Sequence, residues 1–112
     1  MAKFTRATTP DISLTIENFD ARAMDVYVTI SQGSSKSITL TGDRLIVTAT
    51  ESQGVYTTSI AFKLTQSETL KFGKGSADVQ ARFIDAEQNA LATEVNQLTI
   101  DPVLYEKVIR YE

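Results

Sequence analysis

Apolar and polar residues alternate along most of this chain, and a period of two predicts strands rather than helices. Ile12, Leu14 and Ile16 alternate with Ser13, Thr15 and Glu17, which describes a half-buried strand closed by Asn18-Phe19-Asp20. The preceding Thr-rich residues 4–10 read as an extended lead-in, because Pro10 has no amide donor and fits a strand's start or edge. Met24, Val26, Val28 and Ile30 give the strongest alternation, followed by a turn at Gln32-Gly33-Ser34-Ser35 and a returning strand through Ile38 and Leu40. After a turn at Thr41-Gly42-Asp43-Arg44, Leu45, Val47 and Ala49 alternate with Ile46, Thr48 and Thr50; Ile46 implies an outer face that is not wholly exposed. A turn at Glu51-Ser52-Gln53-Gly54 leads into a strand over residues 56–64 with Ile60, Phe62 and Leu64 on one face.

The rhythm then changes. Thr65 and Glu68 have capping-box spacing, and Leu64 with Thr69 or Leu70 would staple the same turn. Only a turn or two of helix fits before Gly73 and Gly75, so residues 59–85 read as a crossover from one sheet to another. Ala77, Val79, Ala81 and Phe83 then alternate with polar neighbours, Asp85 to Asn89 form a hairpin turn, and residues 90–100 form the last full strand. Val95 or Leu98, with Ile100, are its inward candidates, and a bulge near Asn96-Gln97 would reconcile Leu91, Thr93 and Val95 with Leu98 and Ile100. The tail after Asp101-Pro102 is richer in large apolar residues than a fraying terminus requires. As a helix it would gather Leu104, Tyr105, Val108 and Ile109; as a strand it would line up Val103, Tyr105, Ile109 and Tyr111 with Lys107 among them. It reads either as a last element covering the sandwich edge or as an arm that docks on another subunit.

About seven short strands with one short crossover helix describe an all-β, immunoglobulin-like antiparallel β-sandwich. The 112 residues form one domain, with residues 103–112 as a C-terminal tail, and a chain of this length buries roughly two thirds of its unfolded surface without metal or disulfide. Cysteine and histidine are both absent, which removes thiolate nucleophiles, the commonest general base and the commonest metal ligands. A net charge of −3 without a basic cluster argues against nucleic acid. The basic start at Lys3 and Arg6 is followed by Ala7-Thr8-Thr9-Pro10 in place of an apolar run, so no signal peptide is read. No stretch reaches the roughly 20 apolar residues of a membrane span.

Candidate chemistry is sparse. Gly73-Lys74-Gly75-Ser76 lacks the upstream Gly and the Ser directly after Lys that a phosphate loop needs, and reads as a turn. Asp85-Ala86-Glu87-Gln88-Asn89 begins like a calcium loop but has Ala90 where the bend Gly belongs, so a hairpin turn is the better account. Glu17, Asp20 and Asp25 surround one loop without an aromatic platform and read as solvated turn charges rather than a glycosidase pair. Asn18, Asn89 and Asn96 lack the following Ser or Thr of a glycosylation acceptor. Tyr27, Tyr56, Tyr105 and Tyr111 are suited to a sugar- or protein-binding face. No catalytic, cofactor or metal residue is assigned.

Phe62-Lys63-Leu64-Thr65-Gln66-Ser67-Glu68-Thr69-Leu70-Lys71-Phe72, then Gly75 and Asp78-Val79-Gln80-Ala81-Arg82-Phe83, resemble small phage and prophage tail proteins of Gram-positive hosts. Val26-Tyr27-Val28-Thr29-Ile30-Ser31-Gln32 is similar in its place, and Asp101-Pro102-Val103-Leu104 resembles the strand-to-tail junction of those proteins. The resemblance runs from about Thr9 onward and extends in outline to the immunoglobulin-like head of baseplate upper proteins; its motifs are structural, so no site residue is carried over. It implies a non-enzymatic component of a virion or of host-cytoplasmic tail assembly, with other tail or baseplate proteins, or further copies of itself, as partners. The expected contact residues are Val103, Leu104, Tyr105, Val108, Ile109 and Tyr111. A carbohydrate- or cell-surface-binding adhesion module is the alternative.

Overall fold

The structure, a computed structural model, describes residues 2–111; Met1 and Glu112, the outermost residues of the basic lead and of the tail, lie outside the described residues. One sheet is antiparallel and has the order β2 (Asp11–Glu17), β6 (Val55–Lys63), β5 (Leu45–Ser52). The facing sheet runs β1 (Ala2–Thr5), β9 (Asn96–Asp101), β7 (Gly75–Ile84), β3 (Asp25–Gln32), β4 (Lys36–Thr41), and β8 (Ala90–Ala92) also pairs with β7. With β2 to β7 and β9 taken as strands B, C, C′, D, E, F and G, the sheets are B-E-D and G-F-C-C′, the strand order of an immunoglobulin-like sandwich. The fold class read from the alternation is therefore the observed one.

The alternation sets which faces meet. Val26, Val28 and Ile30 of β3, Ala77, Val79, Ala81 and Phe83 of β7, and Leu98 and Ile100 of β9 are buried against Ile12, Leu45, Ile60 and Phe62 of the second sheet. Small and large residues alternate across the register, Val26 standing opposite Phe83 and Val28 opposite Ala81, which lets the layers interdigitate. One end of the sandwich is closed by Phe19 edge-on to Phe83, with ring centroids 4.9 Å apart. The other end is closed by Leu64 and Phe72, both fully buried.

Those two residues flank α1 (Gln66–Leu70), which carries the chain from β6 in one sheet to β7 in the other. The capping box forms as the spacing predicts: the Glu68 amide donates to Thr65 Oγ1 (3.1 Å) and the Thr65 amide to Glu68 Oε1 (2.8 Å). Thr69, at the staple position, is buried with its hydroxyl 3.0 Å from the carbonyls of both Thr8 and Gln66. The glycine break after the helix is tied to β3, since Gln32 accepts from the Gly73 amide and donates to the Gly73 carbonyl.

Three boundaries differ from the expectation. The lead-in is partly a strand: β1 pairs in parallel with β9, placing Phe4 opposite Ile100 in the core. The turn expected over residues 51–54 shrinks to Gln53-Gly54, both at positive φ (53° and 80°), because a two-residue hairpin needs left-handed backbone at both places. The last strand is two. β8 pairs Arg82 with Ala92, whereas β9 pairs Val79 with Asn96, so β9 carries one extra residue across the break and Glu94-Val95 stand against Gln80. Thr93 makes this slip satisfiable, its amide donating to the Ala81 carbonyl while its hydroxyl accepts from the Ala81 amide. The bulge thus lies just ahead of its expected place; Leu98 and Ile100 point inward and Val95 outward.

Thr58, fully buried in β6, holds the loop that closes the first end: its hydroxyl donates to the Phe19 carbonyl (2.6 Å) and accepts from the Ala21 amide (3.1 Å). Thr58→Val keeps the shape and strands both backbone groups, so it should cost about 2 kcal/mol in chemical denaturation at unchanged m-value.

Candidate interaction surfaces

The C-terminal tail, residues 103–111, is neither helix nor strand. Val103 is half-buried beside Pro102, and the other expected contact residues stand in solvent: Leu104 and Tyr111 completely, Tyr105 at 62%, Ile109 at 63% and Val108 at 44% exposure. The covering of the sandwich edge by a packed last element is therefore not what these residues do. The tail crosses the α1 end of the sandwich, where Val108 lies over a shallow hollow beside Thr9, Arg44 and residues 63–67.

Few polar contacts fasten it. Arg6, at the end of β1, donates to the Phe72 and Leu70 carbonyls (2.5 and 3.2 Å), capping the C-terminus of α1 with a cation, and pairs with Glu106 at 2.6 Å. The Gln66 side chain takes both backbone groups of Ile109, donating to its carbonyl and accepting from its amide, each at 2.9 Å. Neither anchor has a sequence signal, because a lone Arg in a lead-in and a Gln in a helix's first turn say nothing until the fold brings residues 6 and 106, and 66 and 109, together.

A second surface runs along β2, the edge of the narrower sheet. A cleft of about 740 Å3 opens between β2 and the β8–β9 break, walled by Leu14, Ile16 and Phe19 on one side and by Phe83, Leu91 and Glu94 on the other. A smaller hollow continues it along Ile12 to Thr15 against Val79 and Leu98. Leu91 stands directly opposite Phe83 in the ladder and so faces the core side, yet it is 48% exposed, because β2 is the edge of its sheet among the described residues. The alternation marks Leu91 as apolar but not as uncovered; that depends on which strand ends the opposite sheet.

The other sequence candidates fall into structural roles. Asp20 accepts three hydrogen bonds from Arg22, whose guanidinium and amide hold the carboxyl down at about 2, so it is a fixed anion and unsuited to give up a proton. Arg22 in turn lies 5.1 Å from the Tyr56 ring centroid. Asp85 accepts from the Glu87 and Asn89 amides and from the Asn89 side chain, which consumes its oxygens in the hairpin turn and lowers its pKa. Among the described residues no three acidic side chains assemble as a metal-ion site, and no helix is long and apolar enough to cross a membrane. The tyrosines do not converge: Tyr27 lies in β3 opposite Arg82 and Thr41, Tyr56 beside Arg22 in the other sheet, and Tyr105 and Tyr111 on the tail.

No family model and no curated protein matches the chain. Among solved structures it is similar to that of murine CRIg, with 11% identity and a TM-score of 0.35 over 92% of each chain. The immunoglobulin-like assignment rests on the strand order, and the surfaces rest on their own geometry.

Glu68 joins the tail's platform to the sandwich. Arg44, in the turn just ahead of β5, grips both its carboxylate oxygens (2.6 and 3.0 Å) and also donates to the Lys63 carbonyl. Chiefly through Arg44, and then through the Thr65 amide, with partial burial opposing both, the Glu68 carboxyl is held below its ordinary 4.5. A depressed folded-state pKa contributes stability that is complete above the unfolded value and lost as pH falls through the folded one. Glu68→Gln should therefore cost about 1 kcal/mol at neutral pH, and the gap to wild type should narrow as pH falls below the ordinary 4.5, when unfolding is followed against pH.

Proposed function

We propose that this chain is a non-enzymatic structural protein of a phage or prophage tail or baseplate, acting through protein–protein contacts during virion assembly. The observation that carries the reading is the tail: Leu104, Tyr105, Ile109 and Tyr111 are held in water on a segment fastened through Arg6 and Gln66. Exposed apolar residues grouped on one segment mark an interaction site, and a terminus without regular structure can order on a partner. The resemblance of residues 62–83 to tail proteins gives the kind of assembly, and other tail or baseplate proteins are the partners it implies. A glycan-binding face has less support, since the tyrosines it would use are dispersed over both sheets and the tail.

Deleting residues 103–112 tests the reading, with light scattering and partner pull-down set beside thermal unfolding. Association should weaken by at least about tenfold. The melting temperature should fall by no more than about 5 °C, because few buried contacts are lost. A deletion that unfolds the domain while leaving oligomer contacts intact would contradict it.

A further inference from the structure

We infer that the cleft beside β2 receives the C-terminal tail of a second copy of this chain, which adds to β2 as an extra strand. The inference rests on the protein-contact reading above and names the partner and its seat. Three features of the cleft fit a strand. It lies along an unpartnered strand edge: Leu64 donates to the Pro10 carbonyl, so in the antiparallel ladder residues 12, 14 and 16 bond to β6 while Ser13, Thr15 and Glu17 turn their backbone groups outward. It is apolar on the core side, where Leu14, Ile16 and Leu91 are incompletely covered. The ionisable groups lining it are both acidic, Glu17 and Glu94, and among the described residues neither is in an ion pair.

The tail has the complementary pattern. As an extended segment it places Val103, Tyr105, Ile109 and Tyr111 on one face. The single charge among them is Lys107, which meets the acidic lining, and Arg110 follows on the other face. Neither Lys107 nor Arg110 has an ion-pair partner among the described residues. Residues 103–111 extended span about 30 Å, enough to run the length of β2. Leaving home releases the Gln66–Ile109 pair and the exposed Arg6–Glu106 ion pair; the new ladder replaces the backbone bonds, and water takes up the two freed charges.

The occupant is another copy because of where the two surfaces lie. The tail crosses the α1 end of its own domain toward Arg44, whereas the wide part of the cleft, at Phe19, Leu91 and Glu94, is at the opposite end. The contact is consequently head-to-tail, the kind that propagates into rings or filaments rather than stopping at a dimer.

Charge reversal tests this in the full chain. Glu17→Lys with Glu94→Lys, and separately Lys107→Glu with Arg110→Glu, change exposed positions; circular dichroism and melting confirm folding. Sedimentation should show each double variant associating about tenfold more weakly than wild type, and an equimolar mixture of the two should recover association, since each tail then meets a groove of opposite sign. In wild type, the Ser13, Thr15 and Glu17 amides should gain hydrogen-exchange protection as concentration rises. Loss of association on tail deletion but not on either reversal, with those amides unprotected, overturns this inference and leaves the protein-contact reading standing. Protection that does not depend on concentration means a tail seated on its own chain, and a wild-type chain that stays monomeric at every concentration has no second copy to bind; either result overturns it too.

Discussion

Three strands face six, and the narrower sheet cannot cover the wider one. That mismatch governs much of what is unusual in the molecule. Where β2 lies over the wider sheet, Val79 and Leu98 are buried; where the wider sheet extends past it, Leu91 faces inward and remains half in water. The bulge at Glu94-Val95 sits at this overhang. It lets β9 fall back into register with β7 below while β8 pairs with β7 above, and Thr93 supplies the hydrogen bonds the slip would otherwise lose. The resulting seam is a consequence of strand number rather than of any one residue.

The end of the sandwich that carries α1 depends on a different kind of bonding. Leu64 and Phe72 seal it by burial, but a set of long polar side chains holds the segments in place: Arg44 to Glu68, Gln32 to Gly73, Arg6 to the last carbonyls of α1. The same set extends outward to the tail through Arg6–Glu106 and Gln66–Ile109. The bonds that reach the tail are exposed, and an ion pair or hydrogen bond in water positions a segment without committing it. A tail so held is ordered enough to be presented and weakly enough to leave.

Much of this was legible in the sequence, and for definite reasons. Alternation at Val26, Val28 and Ile30 or at Ala77 to Phe83 shows the core face directly, since a strand's side chains can only point two ways. The Thr65–Glu68 cap was legible because both partners lie within one turn. What failed to show were properties set by distant pairing. β1 became a strand because β9 offered it an edge, residues 90–100 broke in two because one residue too many had to fit against β7, and Arg6 gained its role only when residues 70, 72 and 106 gathered around it. The tail's apolar residues were evident in order but not in exposure, and the seam beside β2 had no sequence signal, since its walls come from separate stretches of the chain.

The tail of one copy, as proposed above, covers the seam of the next. Because the chain has no cysteine, Tyr111→Cys allows a single spin label at the tail, to be mixed with isotopically labelled, unmodified chain. Relaxation enhancement is then read only between copies. The account predicts broadening along Leu14, Thr15 and Ile16 and at Leu91, with β5 unaffected; broadening confined to β5 or to the surface around α1, or none in any residue, would contradict it.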